Sequence, residues 1–484
     1  MSLVIDQVRR EASKLLDSQR RSELGQYMTP SPIAEFMASL FSYHGKAKLL
    51  DAGAGVGSLT SAFFSQALRE ETSVDAETWE IDSTLSSYLK NTLDEYVQLG
   101  QGRIKACIHT SDFIEDATFS IQFGGDNRYT HAILNPPYKK ISTNSKHRKL
   151  LRMVGIETVN LYTAFVALAV LLMAKGGEIV AIIPRSFCNG SYYRPFRNLI
   201  LQTCSIRQLH LFDSRNKAFQ DDGVLQENVI LHLVKGEPQG SVIVSTSFDA
   251  KFSDYQQIMF DAAVIVKPND IEKFIHIPTA IEQTSAPTLC THTLRDIELE
   301  VCTGPVVDFR LKKYWRNEPD DNTVPLLYPH HFSNGILCWP KLHKKPNALQ
   351  LTPDVRKWLM PRGHYVLVKR FSTKEERRRL VAYHLTDDAL GAAYIGFENH
   401  WNVFHIGKHG MDENTARGLT TFLNSTALDE YFRVFSGHTQ VNATDLRNVR
   451  YPSRKKLCEL GQRAKNQPKD QATIDRLLEE LETP

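Results

Sequence analysis

His131-Ala132-Ile133-Leu134-Asn135-Pro136-Pro137-Tyr138 reads as a buried strand that runs into a rigid turn. Its apolar start suits a strand covered on both faces. Two consecutive prolines can neither continue a strand ladder nor enter a helix interior, so the strand stops with Asn135 as its last residue. In open α/β sheets, ligands bind just beyond the carboxyl end of such strands. The turn offers the amide oxygen of Asn135, the carbonyl of Pro136 and the ring of Tyr138. That set suits a planar amine held against a stacking surface. A proline-rich turn with no ligand is the plainer alternative at this point.

Working outward, strands and helices alternate. Ala47–Asp51, Glu77–Ile81, Ile104–His109, Glu178–Pro184, Ile206–Phe212 and Val229–Val234 join the opening strand in one series. Helices are expected at Ser58–Leu68, Ser83–Leu99 and Asn160–Ala174 between them. This alternation predicts a mostly parallel sheet with covered faces, antiparallel where the last two strands follow each other without a helix. Ahead of it, 3–24 has helical spacing, and a second amphipathic helix starts at Ser31 as N-cap with Pro32 behind it.

Regular alternation ends near 236–250. The expected division is a helical lead over 1–45, an α/β domain over 46–240, a mixed α+β domain over 241–452 and a helical tail over 453–484. The 484 residues carry a net charge of +3, which hides an asymmetry. Residues 301–484 hold 28 Lys/Arg against 21 Asp/Glu, or +7, while the first 300 sum to −4. A basic C-terminal part suggests a polyanionic partner. The seven cysteines are scattered without a C-x-x-C pair, so neither a zinc site nor a disulfide framework is expected. The charged N-terminus lacks a signal-peptide core, and Leu161–Ala174 is shorter than the roughly 20 residues that span a bilayer. No membrane role and a cytoplasmic location are expected.

Three further strand ends carry chemistry. Asp51-Ala52-Gly53-Ala54-Gly55-Val56-Gly57 follows the first strand, and glycines at alternate positions let the backbone turn and approach a ligand closely. Ser58 stands where the dinucleotide fingerprint needs glycine, which disfavours a nicotinamide cofactor. Glu80, with Ile81, ends the second strand and is placed to hold two ribose hydroxyls. Asp112-Phe113 follows the third, where a carboxylate can accept from an exocyclic amine and a ring can cover a purine. Each alone has a bland reading: a tight turn, or a surface carboxylate. Together, at the ends of parallel strands, all face one crevice.

In this order the motifs resemble those of class I S-adenosylmethionine-dependent methyltransferases. More narrowly, they are similar to the gamma-order DNA adenine-N6 methyltransferases of type II restriction-modification systems. Gln26-Tyr27-Met28-Thr29-Pro30, Asn160-Leu161-Tyr162, Ile182-Ile183-Pro184 and Ala218-Phe219-Gln220 add to the resemblance over about 20–235. Val301–Pro305 and Ser436–Leu446 are similar to segments of PstI/BsuBI-type adenine methylases. The resemblance implies a Rossmann-like, mostly parallel seven-stranded sheet followed by a target-recognition domain.

It also implies S-adenosylmethionine as cofactor, held by Thr29, Pro30, Asp51, Ala52, Gly53, Gly55, Gly57, Glu80, Ile81, Asp112, Phe113 and Asn135. Asn135, Pro136, Pro137 and Tyr138 become catalytic, with Phe219 opposite Tyr138 around an adenine flipped from duplex DNA. Candidate DNA contacts are Lys369, Arg370, Arg433, Gln440, Asn442 and Arg447, the residue types that pair with guanine or adenine. No metal is implied. No pair of acids with E-x-K marks a nuclease, so a cognate endonuclease is expected as a separate chain. The enzyme itself is expected as a monomer or weak dimer in a prokaryotic cytoplasm, near the nucleoid. A protein-glutamine methyltransferase, an RNA base methyltransferase and a silent nucleic-acid-binding subunit stay open as alternatives.

Overall fold

Two helices precede the sheet in the computed structural model: α1 (Ser2–Leu15) and α2 (Ser31–Ser39). The structure describes residues 2–15, 28–124, 129–212, 227–280, 289–333, 335–372, 376–436 and 440–482. Phe219 and its neighbours Ala218 and Gln220 lie outside the described residues, as do Gln26 and Tyr27. The residue at the N-cap of α2 is Pro30, one before the expected Ser31. Asp6 of α1 supplies the missing cap, accepting from the Ser31 backbone N–H at 3.2 Å.

The sheet then builds from β1 (Lys46–Ala52), α3 (Ser58–Arg69), β2 (Ser73–Trp79), α4 (Ser83–Leu99), β3 (Ile104–His109), α5 (Phe113–Gln122) and β4 (Tyr129–Leu134). It continues through α6 (Lys146–Met153), α7 (Leu161–Leu172), β5 (Met173–Pro184), α8 (Arg194–Thr203), β6 (Cys204–Phe212), β7 (Asn228–Lys235), β8 (Val242–Ser247) and β9 (Gln256–Phe260). Strand order is β3-β2-β1-β4-β5-β7-β6-β8-β9. The order reverses between β1 and β4, which opens the crevice at the strands' carboxyl ends.

Among the described residues nine strands stand where seven were expected, and the sheet is mixed. β7 runs antiparallel between β5 and β6, and β9 antiparallel to β8. The expected boundary at 240 therefore falls inside the sheet. The chain divides at Ala280 instead. Residues 236–241, where regular alternation was expected to end, form a tight return. Gly236 has φ +74°, and the Gln239 side chain grips both backbone groups of Ile206, at 2.8 and 2.9 Å. β8 is thereby delivered alongside β6.

The sheet's two faces bury separate cores. α7, apolar all round, fills one with Val166, Leu168 and Val170 fully covered. α2, α3 and α4 cover the other.

The second unit, 281–484, has short strands. They are β10 (Glu300–Thr303), β11 (Trp315–Arg316), β12 (Thr323–Leu327), β13 (Phe332–Ser333), β14 (Ile336–Leu337), β15 (Ala348–Gln350), β16 (Met360–Pro361), β17 (Tyr365–Lys369), β18 (Ala382–Leu385), β19 (Tyr394–Phe397) and β20 (Trp401–His405). They form sheets β10-β20-β17-β18 and β11-β15-β12-β19-β16, with β13-β14 as a hairpin. Trp401, fully buried, anchors their core.

Helices α9 (Glu413–Leu423), α10 (Thr426–Phe435), α11 (Ala443–Asn448), α12 (Arg454–Arg463) and α13 (Gln471–Glu482) follow. α9 and α12 cross closely at Gly418 and Gly461. A Cβ on Gly418 would sit 1.8 Å from the Leu457 carbonyl oxygen. The expected tail is thus two helices packed into this unit, broken where Asn466 takes φ +65° ahead of Pro468. The Ser453 hydroxyl caps α12 and offsets its basic start.

Candidate active site

Four loops at the carboxyl ends of β1, β2, β3 and β4 enclose a cleft of about 400 Å³. The glycine loop forms its floor. Gly57 is the N-cap of α3 at φ +87°, and a Cβ there would meet Leu89 at 2.9 Å, so only glycine fits. Gly53 and Ala54 both donate to the Trp79 carbonyl at 2.9 Å, which ties the β1 loop to the end of β2. Asp51 lies beneath the loop, outside the cleft. It accepts from the Thr60 hydroxyl at 2.6 Å, while its Oδ1 has no hydrogen-bond partner among the described residues. Burial pushes its carboxyl up to about 7, with the Thr60 hydrogen bond opposing.

Glu80 stands at the wall, one residue past β2. Its carboxylate accepts from the Gly55 and Asp82 backbone N–H groups, each at 2.8 Å. Burial raises its pKa against those hydrogen bonds. The next residue, Ile81, is apolar yet 56 % exposed and faces the cleft. Asp112 caps α5 through Ile114 N–H at 2.8 Å and meets His147 Nε2, also at 2.8 Å. Burial raises the Asp112 pKa, but the His147 hydrogen bond and charge prevail and hold it below the usual range. His147 is raised in turn, first by that hydrogen bond. Phe113, buried, packs on Trp79 and Phe165 with ring centroids 5.4 and 5.1 Å away.

At the end of β4, a hydrogen-bonded chain fixes Asn135. Its Nδ2 donates to Thr29 Oγ1 at 2.9 Å. Its Oδ1 lies 3.2 Å from the Tyr138 hydroxyl, which also reaches the Ile182 carbonyl at 3.1 Å. The Nδ2–Thr29 bond orients the amide so that Oδ1 lies on the Tyr138 side. Pro137 lines the cleft, whereas Pro136 is buried behind it. The Tyr138 ring is half-buried and edge-on to Tyr162, centroids 6.1 Å apart.

Of the expected cofactor set, Thr29, Gly53, Gly55, Glu80, Ile81, Asp112, Phe113 and Asn135 line this one cleft. Pro30, Asp51, Ala52 and Gly57 support it from behind. Trp79, His147 and Phe165 also line it and had no motif to mark them. Asp112, Glu115 and His147 are close enough to share a cation, although the Asp112–His147 hydrogen bond accounts for their approach.

In the second unit the expected DNA contacts are tied into the fold. Arg433 pairs with Asp429 at 2.8 Å and with backbone oxygens. Arg447 donates to the Val301 carbonyl at 3.0 Å. Asn442 forms a capping box with Asp445, and Arg370 donates to the Asn399 carbonyl. Gln440 sits in a β-bridge with Phe371, and Lys369 lies over the Tyr383 ring.

The first unit's strand order and strand-end cleft are those of a class I methyltransferase fold. The sequence model of the Eco57I restriction-modification methylase family matches residues 44–219. Along nearly its whole length the chain is similar to the type II methyltransferase M.BsuBI of Bacillus subtilis, 51 % identical over 99 % of this chain and 97 % of that protein. M.PstI of Providencia stuartii is 41 % identical over 99 % and 96 %. The chain belongs to the type II restriction-modification methyltransferases. In fold it is similar to the type IIL restriction-modification enzyme MmeI, solved with DNA, at TM-score 0.56 and 11 % identity over 97 % of this chain and 77 % of that one. Among the described residues, no helix is long and apolar enough to cross a membrane.

Proposed function

We propose that the chain transfers a methyl group from S-adenosylmethionine to the exocyclic N6 of an adenine in duplex DNA, as the modification enzyme of a restriction-modification system. The observation that carries this reading is the Thr29–Asn135–Tyr138–Ile182 chain at the strand end, which holds an amide oxygen at the edge of the cleft.

The cleft's chemistry fits the cofactor. Glu80 and Asp112 each keep acceptor capacity beyond their backbone bonds, for a ribose diol and an adenine amine respectively. Exposed Ile81 on one side and Phe113 on the other cover an apolar ring. A cation bound above the glycine loop would favour the ionised form of Asp51, whose Oδ1 has no hydrogen-bond partner among the described residues. Bound S-adenosylmethionine supplies an already activated methyl group.

The protein's task is then to make the amine nucleophilic and to position it. An exocyclic amine donates its lone pair into its ring and is a poor nucleophile. Asn135 Oδ1 and the Pro136 carbonyl, each accepting one N–H, favour a more tetrahedral nitrogen. Positioning supplies much of the rate, and no strong base is needed before attack. The adenine leaves the stack to arrive here, at a cost of a few kcal/mol. Tyr138 stacks on it. In this reading the enzyme works as a monomer or weak dimer, and restriction belongs to a separate chain.

The test supplies methyl-labelled S-adenosylmethionine with duplex DNA, RNA and protein side by side. Label in duplex DNA is expected. Label in protein alone or RNA alone would overturn the reading.

A further inference from the structure

We propose that the loop from Trp339 to Pro346 in the second unit inserts into duplex DNA, with Leu342 as an apolar wedge between base pairs and Lys341 and Lys344 on the flanking phosphates. The proposal rests on DNA being the substrate.

Leu342 is 99 % exposed, the highest value of any large apolar side chain among the described residues. Single exposed leucines are ordinary on flexible surfaces. This one stands on a built frame. Asn347, buried at the loop's base, ties the loop to the rest of the unit through its side-chain amide. Oδ1 accepts from the Lys341 backbone N–H at 2.9 Å and meets His331 Nε2 at 3.0 Å. Nδ2 donates to the carbonyls of Lys341 at 3.0 Å and Asn317 at 2.9 Å. The Trp339 indole donates to the Asn347 carbonyl at 2.8 Å, so both limbs of the loop are joined. Pro340 and Pro346 restrict φ at either end. The tip is therefore ordered before any partner arrives, which lowers the entropic cost of binding.

The charge around the tip is also specific. Lys341, His343 and Lys344 are exposed beside Leu342. Lys341 Nζ donates to the His330 carbonyl at 3.0 Å, and among the described residues neither Lys341 nor Lys344 has a carboxylate partner. Lys345 is different, since Asp308 at 2.6 Å balances it. The His343 ring stacks on His330 at 3.9 Å between centroids, which braces the loop's outer limb. An apolar point ringed by unpaired cations matches a base stack bordered by phosphates. Leucine is among the side chains that wedge base steps apart, and an open step favours extrusion of a base.

The experiment follows methyl transfer to unmodified bacteriophage genomic DNA, and DNA affinity against salt. Leu342→Ala is expected to keep the wild-type melting temperature and S-adenosylmethionine affinity, because the side chain touches nothing. Its methylation rate is expected to fall about tenfold, the loss of one transition-state contact. Leu342→Met should retain most of the rate. The double variant Lys341→Ala/Lys344→Ala should flatten the slope of log affinity against log salt by about two.

If the wild type labels no DNA at all, the substrate reading fails. If it labels DNA and Leu342→Ala matches it, the wedge fails while that reading stands. If Leu342→Ala instead converts a dimer to a monomer at unchanged methylation rate, the tip is a contact between copies and the proposal is overturned.

Discussion

Charged side chains in the two units direct their hydrogen bonds differently. In the first unit, Glu80 and Asp112 accept backbone N–H groups at the mouths of helices and still face the cleft. In the second, Arg433 and Arg447 direct N–H groups to Asp429 and to backbone carbonyls of their own domain. Among the exposed cations of this unit, Lys341 and Lys344 stand on a loop braced by Asn347. A carboxylate can order a loop and serve a ligand together, because it has lone pairs to spare. An arginine has five donors and can serve its fold and a partner together, so its presence alone does not say which it does. Residue type therefore marks the site in the first unit but not in the second.

The largest expected effect breaks that contrast at its strongest point. Asn135→Ala should lower methyl transfer by about 10³-fold, in the range of losing one positioned hydrogen-bonding group, while calorimetry finds S-adenosylmethionine binding nearly intact. Retained activity would mean the amine is held elsewhere. Next, Glu80→Ala should weaken cofactor binding by about 10- to 100-fold, the loss of hydrogen bonds to a charged group. A wild-type dissociation constant would remove Glu80 from the site.

Arg447→Ala probes the other side of the comparison. It should lower unfolding free energy by about 1–2 kcal/mol, since a charged donor to the Val301 carbonyl is lost. The salt dependence of DNA binding should not change. A flatter salt slope with unaltered stability would show that Arg447 contacts phosphate after all.

The smallest effect is the pH response of the Asp112–His147 tie. His147 is raised above its ordinary 6.5, so its stabilising contribution is complete below that value and is lost as pH rises through the folded pKa. Asp112 is lowered below 3.8, so its contribution is complete above that value and is lost only in stronger acid. The tie is strongest between those limits. Cofactor affinity should weaken modestly above neutrality, and His147→Gln should flatten the profile. An unchanged profile in that variant would assign the pH response to another group.

Most of the first unit was legible in its sequence because the cofactor's chemistry imposes local patterns. Alternate glycines need positive φ, an acid must follow the second strand, and Pro136-Pro137 must end the fourth. Each is a few residues long. What was not legible depends on packing across the chain. His147 reaches Asp112 from a helix 35 positions away. β8 and β9 extend the sheet beyond 236–250, where regular alternation ends in the sequence, and Gln239 ties their lead-in to Ile206. Of the six residues chosen as DNA contacts, nothing in one sequence shows that Arg447 donates to the Val301 carbonyl or that Arg433 pairs with Asp429. Leu342 gave no signal either, since its exposure follows from Asn347 closing the loop beneath it.

The central claim is that Asn135 and its neighbours hold the N6 amine of adenine, and nucleoside analysis tests it most directly. Unmodified duplex DNA is incubated with methyl-labelled S-adenosylmethionine and the wild-type protein or Asn135→Ala, then digested to nucleosides and separated. The account predicts label in N6-methyladenosine of the deoxy series from the wild type and none from the variant. Label in a methylated cytosine, or equal N6-methyladenine from both proteins, would contradict it.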